Sequence, residues 1–199
     1  MKHQHAVRAS GDYVQGSYGL LPHAGDRARA ALYFARLLGS ISASGSLQLA
    51  RWHLRAALSE YRSIFNVLGR DLRDLKLHQL WEQSEQKKLL DDDALVSVMR
   101  KVRDFAIHST IIQGEAKTFR VTSSEPSAPV SELSAVVIEP LSRAAPEMKR
   151  EIQRFDDETL TFFNREAANW PADLLVHIAV YRSSEPIAQF LRSHARDGA

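Results

Sequence analysis

Arg103 and His108 are the two residues whose types and spacing most directly suggest chemistry, in the segment Arg103-Asp104-Phe105-Ala106-Ile107-His108. An imidazole titrates near neutrality, so His108 could take the proton of a ribose 2′-hydroxyl or return one to a departing 5′-oxygen. A guanidinium stays charged and offers a planar fork of donors that matches phosphate oxygens, so Arg103 could stabilise the charge that grows as the 2′-oxygen attacks phosphorus. Together they suit an RNA transesterification that leaves a cyclic 2′,3′-phosphate. At roughly 100° per residue the two positions are about 140° apart on a helix, on opposite shoulders of the row Val102, Phe105, Ala106, Ser109. Convergence on one phosphate therefore needs the helix to bend or unwind near Ile107, or two chains to meet so that one arginine approaches the other's histidine. Read without chemistry, Arg103 is a solvated flank and His108 a satisfied helix-end residue.

Neighbouring residues could extend such a site. Asp104 cannot ligate a phosphate, and Arg100 and Lys101, one turn earlier, would lengthen a positive strip along an RNA backbone. Glu60, in Ser59-Glu60-Tyr61-Arg62, could face the motif across a bundle as an orienting carboxylate, or equally pair with a neighbouring arginine at the surface. The remaining candidates for chemistry are weaker. Asp91-Asp92-Asp93 suits a helix N-terminus, whose free amides and dipole favour negative charge, better than a divalent cation. His53, His78 and His177 form no histidine pair at helical or strand spacing, and His3 and His5 lie in a tail without further ligands, so no metal site is expected. The absence of cysteine excludes disulfides and thiolate chemistry. No P-loop, dinucleotide-binding glycine pattern, HExxH or GxSxG occurs, and no cofactor is expected.

The elements that must position these residues are mostly helical. Residues 1–25 hold four of the nine glycines and little periodicity, which predicts an irregular lead-in. Asp26 can cap a first helix with the apolar row Ala28, Ala31, Leu32, Ala35 and Leu38. Leu47, Ala50, Leu54, Ala57, Leu58, Tyr61, Ile64, Phe65 and Leu68 repeat at helical spacing over about six turns, the strongest helical signal in the sequence. A shorter helix over Leu72–Glu85 carries Leu77, Leu80 and Trp81. Beyond the aspartates, Leu95, Val98, Met99, Val102, Phe105 and Ala106 predict the helix that bears the Arg/His pair, fraying between His108 and Gly114. Period-two stretches at Thr118–Thr122 and Leu133–Ile138 predict a β-hairpin inserted at about 117–139. A long helix is expected from Pro146, stopped by Trp170-Pro171, and then two short ones over Leu174–Tyr181 and Pro186–Leu191, the second capped by Ser184. The expectation is a mainly all-α protein, an up-and-down helical bundle with a small hairpin insertion, forming one domain over 26–199.

The Arg103…His108 motif on a late helix of such a bundle resembles the HEPN superfamily. The resemblance spans roughly Asp26 to Glu115, with the helix from about Ala145 completing the bundle; the N-terminal segment and the hairpin lie outside it. It implies a metal-independent endoribonuclease of a bacterial toxin or defence system, acting as a homodimer in which two Arg/His motifs meet, with Arg103 and His108 catalytic. It also implies that Asp104 orients the arginine or histidine. RNA and a cognate antitoxin are the implied partners. Members modified by an adenylylating antitoxin carry tyrosine two places after the histidine, where this chain has Thr110. Other members have lost activity, so a non-catalytic helical nucleotide-binding or protein-interaction domain is the alternative.

Composition agrees with a globular domain. The 199 residues are 44% hydrophobic and 25% charged, enough for one well-buried core. A net charge of +2 is small, but positive residues cluster at Arg70–Arg73, Lys87-Lys88, Arg100–Arg103 and Lys149-Arg150, compatible with a polyanionic partner. No apolar run reaches the ~18 residues of a membrane span, and residues 1–8 lack the apolar centre of a secretory signal, which predicts a cytoplasmic protein with no membrane partner.

Overall fold

The computed structural model describes residues 16–41, 46–108, 114–121, 131–138 and 157–194. The first fifteen residues of the expected 1–25 lead-in, the helix start at Pro146 and Thr110 lie outside them. Among the described residues the fold is mainly α-helical with one antiparallel β-hairpin: α1 (Pro22–Ile41), α2 (Leu47–Asp74), α3 (His78–Glu82), α4 (Glu85–Asp92), α5 (Ala94–His108), β1 (Gly114–Val121), β2 (Ser131–Ile138), α6 (Asp157–Thr161) and α7 (Ala172–His194). A π turn, Phe162–Glu166, and a 3-10 turn, Ala167–Asn169, join α6 to α7. No described helix is long and apolar enough to cross a membrane.

The expected apolar rows are the rows that are buried. Ala28, Ala31, Leu32, Ala35 and Leu38 of α1 pack against Ala50, Leu54, Ala57, Leu58, Tyr61, Ile64 and Leu68 of α2. Helix α5 contributes Val98 and Met99, and α7 contributes Val176, Ala179, Val180 and Phe190, to the same cluster. The hairpin runs in register from Gly114 opposite Ile138 to Val121 opposite Ser131. Its second strand buries four consecutive residues, Ala135 to Ile138, because α7 and the 3-10 turn both pack on it. An unbroken apolar run is what a strand covered on both faces requires.

Several boundaries differ from the sequence expectation, each for a physical reason. Helix α1 begins at Pro22, four residues before Asp26, and its N-terminal cap comes from another helix: the buried Asp71 Oδ2 accepts the Ala24 amide at 2.8 Å. Pro22 suits a first helical turn, where its missing N–H is not needed. Helix α2 runs on to Asp74 instead of breaking near Leu68, because Asp71 and Leu72 continue its buried row. It ends where Lys76 adopts φ 59°, with Leu77 N donating to Leu72 O at 2.8 Å and Lys76 N to Arg73 O at 2.9 Å. That is a Schellman closure with lysine in the position glycine usually fills. The piece expected over Leu72–Glu85 is accordingly split, with Trp81 buried but Leu80 half-exposed, and Ser84 capping α4 through the Lys87 amide at 3.1 Å.

The two expected C-terminal helices are one. Helix α7 passes through Pro186 because its buried positions, Val176, Ala179, Val180, Ser183, Ile187, Phe190 and Leu191, stay in phase on both sides. Burial of that continuous row outweighs the local cost of the proline, about 3 kcal/mol in a helix interior. Ser184 is therefore inside the helix, not capping it, and its hydroxyl donates to Val180 O at 2.6 Å. Ser183 likewise donates to Ala179 O at 2.7 Å, which leaves its oxygen to accept from the Tyr61 hydroxyl at 2.8 Å. Burial pushes the Tyr61 phenol far above its ordinary range, so it remains a donor tying α2 to α7.

Two consequences are measurable. Asp71→Ala strands the buried Ala24 amide and should cost about 1–3 kcal/mol in urea unfolding, whereas Asp71→Asn keeps an acceptor and should cost less. Lys76→Gly removes the left-handed strain and should raise stability by roughly 1 kcal/mol in the same measurement.

Candidate functional site

The corner between α4 and α5 sets the site. The three aspartates divide between the two helices. Asp93 caps α5, its Oδ1 accepting the Val96 amide at 3.0 Å, while its Oδ2 lies 3.5 Å from Arg182 of α7. Asp91 belongs to the last turn of α4, where it pairs with Lys87 and accepts from Arg100 Nη1 at 3.1 Å. The triplet is thus used for a cap and for ion pairs, as the helix-start reading expects for Asp93.

From this start α5 buries Leu95, Val96, Val98 and Met99 and turns Lys101 to solvent. Arg100 lies at the edge between the two faces. Its guanidinium carbon sits 4.6 Å from the centroid of the Phe65 ring on α2, and Phe65 is itself held edge-to-face against Tyr61 with ring centroids 5.4 Å apart. A guanidinium stacked on a ring and bonded to a carboxylate is fixed in direction as well as charge.

Arg100 borders two cavities. One, of about 270 Å³, is lined among the described residues by Arg62, Ser97, Arg100 and Lys101. The other, also about 270 Å³, lies between α2, α3 and α4 and is lined by Phe65, Gly69, His78, Trp81 and Asp91 among others. A larger recess of about 390 Å³ at the start of α5 has Asp157 and Glu158 in its wall, which disfavours an anion.

Arg62 is not conspicuous in the sequence, yet α2 brings it beside Arg100 and Lys101. A signal for it exists. Arg51, Arg55 and Arg62 recur at i, i+4 and i+11, within about 40° of one another on α2 and along the edge of its apolar stripe. All three are half-buried.

Arg103, Asp104 and His108 are part of α5, which is α-helical up to His108. The unwinding considered near Ile107 does not occur, since α5 is helical through that residue. Positions 97, 101, 104 and 108 consequently fall in one row along α5, while position 103 falls about 140° from position 108. The side chains of Arg103, Asp104 and His108 lie outside the described residues. Glu60 is placed at the α1–α2 boundary, where it accepts from Arg27 Nη1 at 2.9 Å and raises the Arg27 pKa through that bond and its charge. It thus takes the ion-pair role. His78 lies 3.9 Å from Glu82, one turn along α3.

The chain matches no protein-family model, and comparisons with curated proteins and with solved structures likewise give no match.

Among the described residues, the wall of the first cavity brings three cationic side chains together. Arg62→Ala combined with Lys101→Ala should weaken binding of single-stranded nucleic acid. The slope of log affinity against log salt should fall by about 1.4, near 0.7 for each phosphate that is no longer neutralised. An unchanged slope in a salt titration would remove these two residues from the interface.

Proposed function

We propose that this chain is a HEPN-like, metal-independent endoribonuclease of a bacterial toxin or defence system, working as a homodimer with a cognate antitoxin as its partner. The observation that carries the reading is the continuity of α5: one helix bears Arg100 and Lys101 in a cationic cavity with Arg62, and the Arg103…His108 motif within its last two turns. Binding groups for a phosphate backbone and groups for cleaving it then follow one another along a single element.

Since α5 stays helical through Ile107, one chain does not bring positions 103 and 108 to a common face, and the two-chain route is the one that supports chemistry. In that arrangement His108 removes the proton of the 2′-hydroxyl, and the 2′-oxygen forms a bond to phosphorus. The bond to the 5′-oxygen breaks, and the 5′-oxygen takes its proton from His108 of the partner subunit. Arg103 neutralises the extra charge on the phosphoryl oxygens as it develops. Asp104, next to the arginine, is assigned a positioning role. Atoms and charge balance without any further reactant, giving a 2′,3′-cyclic phosphate and a free 5′-hydroxyl.

His108→Ala should lower RNA cleavage by about 10²- to 10⁴-fold while leaving RNA binding in place. Arg103→Ala should also abolish turnover, and cleavage by the parent protein should persist in chelator. End-group analysis of the fragments checks the cyclic phosphate. Undiminished cleavage by both variants, or RNA left intact by protein that binds it, would overturn the nuclease reading.

A further inference from the structure

Glycine is costly inside a helix, so each helical glycine calls for a structural return. At Gly39 the return is close packing: a Cβ there would stand 2.6 Å from Asp173 Oδ2. At Gly25 a Cβ would meet Tyr18 Cβ at 3.0 Å. Gly69 is different. It lies in the interior of the 28-residue α2, has no positive φ, and a Cβ would find only ordinary contacts, 3.6 Å to His78 Nε2 and 3.7 Å to Arg73 Nη1. Neither backbone geometry nor crowding requires glycine at this position. What the missing side chain does provide is space, because Gly69 lines the second cavity beside Arg100.

The walls of that cavity select its occupant. Trp81 is buried and pinned against Phe190, with ring centroids 5.1 Å apart, so it forms a rigid apolar wall with Leu68 and Leu90. The stacking platform is the Phe65–Arg100 pair, a ring with a guanidinium over it. The polar rim mixes donors and acceptors: Lys87 and Arg100 bonded to Asp91, and His78 near Glu82. Two carboxylates in the wall disfavour a phosphate, whereas the edge of a nucleobase carries both donors and acceptors and its faces stack on aromatic rings and guanidinium planes. A volume of about 270 Å³ falls just below the ~300 Å³ at which small-molecule sites usually begin, which suits a single base. The adjoining cavity brings Arg62, Arg100 and Lys101 together among its described residues, cations that suit the phosphate of the same nucleotide.

We infer that the cavity over Gly69 is a base-recognition pocket for one unpaired nucleotide, with Arg100 shared between the base and its phosphate. The inference rests on the RNA-binding part of the proposed function, not on the cleavage step. It gives the protein a base preference that a cationic surface alone would lack.

Binding is measured on the full chain carrying His108→Ala, with dye-labelled single-stranded RNA homo-oligomers of each base, the four free mononucleotides and inorganic polyphosphate. One homo-oligomer should bind tightest, and polyphosphate should be a poor competitor for it. Gly69→Leu fills the pocket and should lower affinity for that oligomer by about 5- to 150-fold, the range for losing one base stack, with the salt dependence unchanged. Gly69→Ala should melt at higher temperature than its parent and lose part of the preference, and it carries the test should Gly69→Leu fail to fold. The same base preference among free mononucleotides, or preference seen only in oligomers, both support the pocket and tell whether the base is read alone or within a strand. Equal binding of all four homo-oligomers, or folded Gly69 variants that keep the parental preference, overturns it. Intact base preference together with no RNA cleavage by the parent protein, His108 in place, overturns the nuclease reading alone.

Discussion

Burial of one face of α2 is the constraint on which the other elements depend. A 28-residue helix presents its apolar row to α1, α5 and α7 together, and β1 also packs on it. Once that row is inside, the flanks of the helix have fixed neighbours. One flank puts Glu60 against Arg27 of α1; another puts Phe65 under Arg100 and Arg62 beside Lys101 of α5. Two polar ties sharpen the register that hydrophobic burial sets: Asp71 holding the first turn of α1, and Tyr61 donating to Ser183 of α7. Each is buried, so each discriminates against a shifted packing in which its partner would be left without a hydrogen bond.

The corner between α4 and α5 converts this packing into a directed charge. Asp91 lies in the last turn of one helix and Asp93 caps the next, so their side chains leave in different directions. Asp91 then draws Lys87 and Arg100 together across the corner, and Phe65 supports the guanidinium from the α2 side. Surface ion pairs of this sort contribute little to stability, with a median of about 0–1 kcal/mol. Their contribution here is orientation: Arg100 is held at the ridge between two cavities by contacts from two other helices.

How far the sequence discloses this depends on the range of the forces involved. Rows in α1, α2 and α5 are legible because burial imposes helical spacing on consecutive turns, and the hairpin is legible from the change to period two. The Asp93 cap is legible because capping is local. Pro186 misleads, since a residue that ends helices in isolation is carried through by the in-phase row from Val176 to Leu191. Asp71 misleads in the other direction: a charged residue in a polar stretch gives no hint that it is buried and caps a helix 47 positions away. In the candidate site, Arg100 and Lys101 are visible as a cluster, but their meeting with Arg62 depends on how α2 and α5 cross, and Glu60 finds its partner on α1 for the same reason. The angular spacing of Arg103 and His108 follows from the sequence and helical geometry; what it requires of a second chain does not.

That spacing bears on why a basic groove and a cleaving pair would share α5. A helix turns its residues through all directions, so a single helix presents a narrow row to any one ligand. Positions 97, 101, 104 and 108 form such a row, and about 16 Å separates its ends at roughly 1.5 Å per residue. Position 103 stands off it, in phase with the buried Val96 and Met99. In the proposed nuclease, a strand of RNA following the row would pass from the cavity at Ser97 and Lys101 toward His108, with the opposing arginine supplied by the second subunit. Dimerisation would, under that proposal, supply what helical geometry withholds from a single chain, with α5 helical through Ile107.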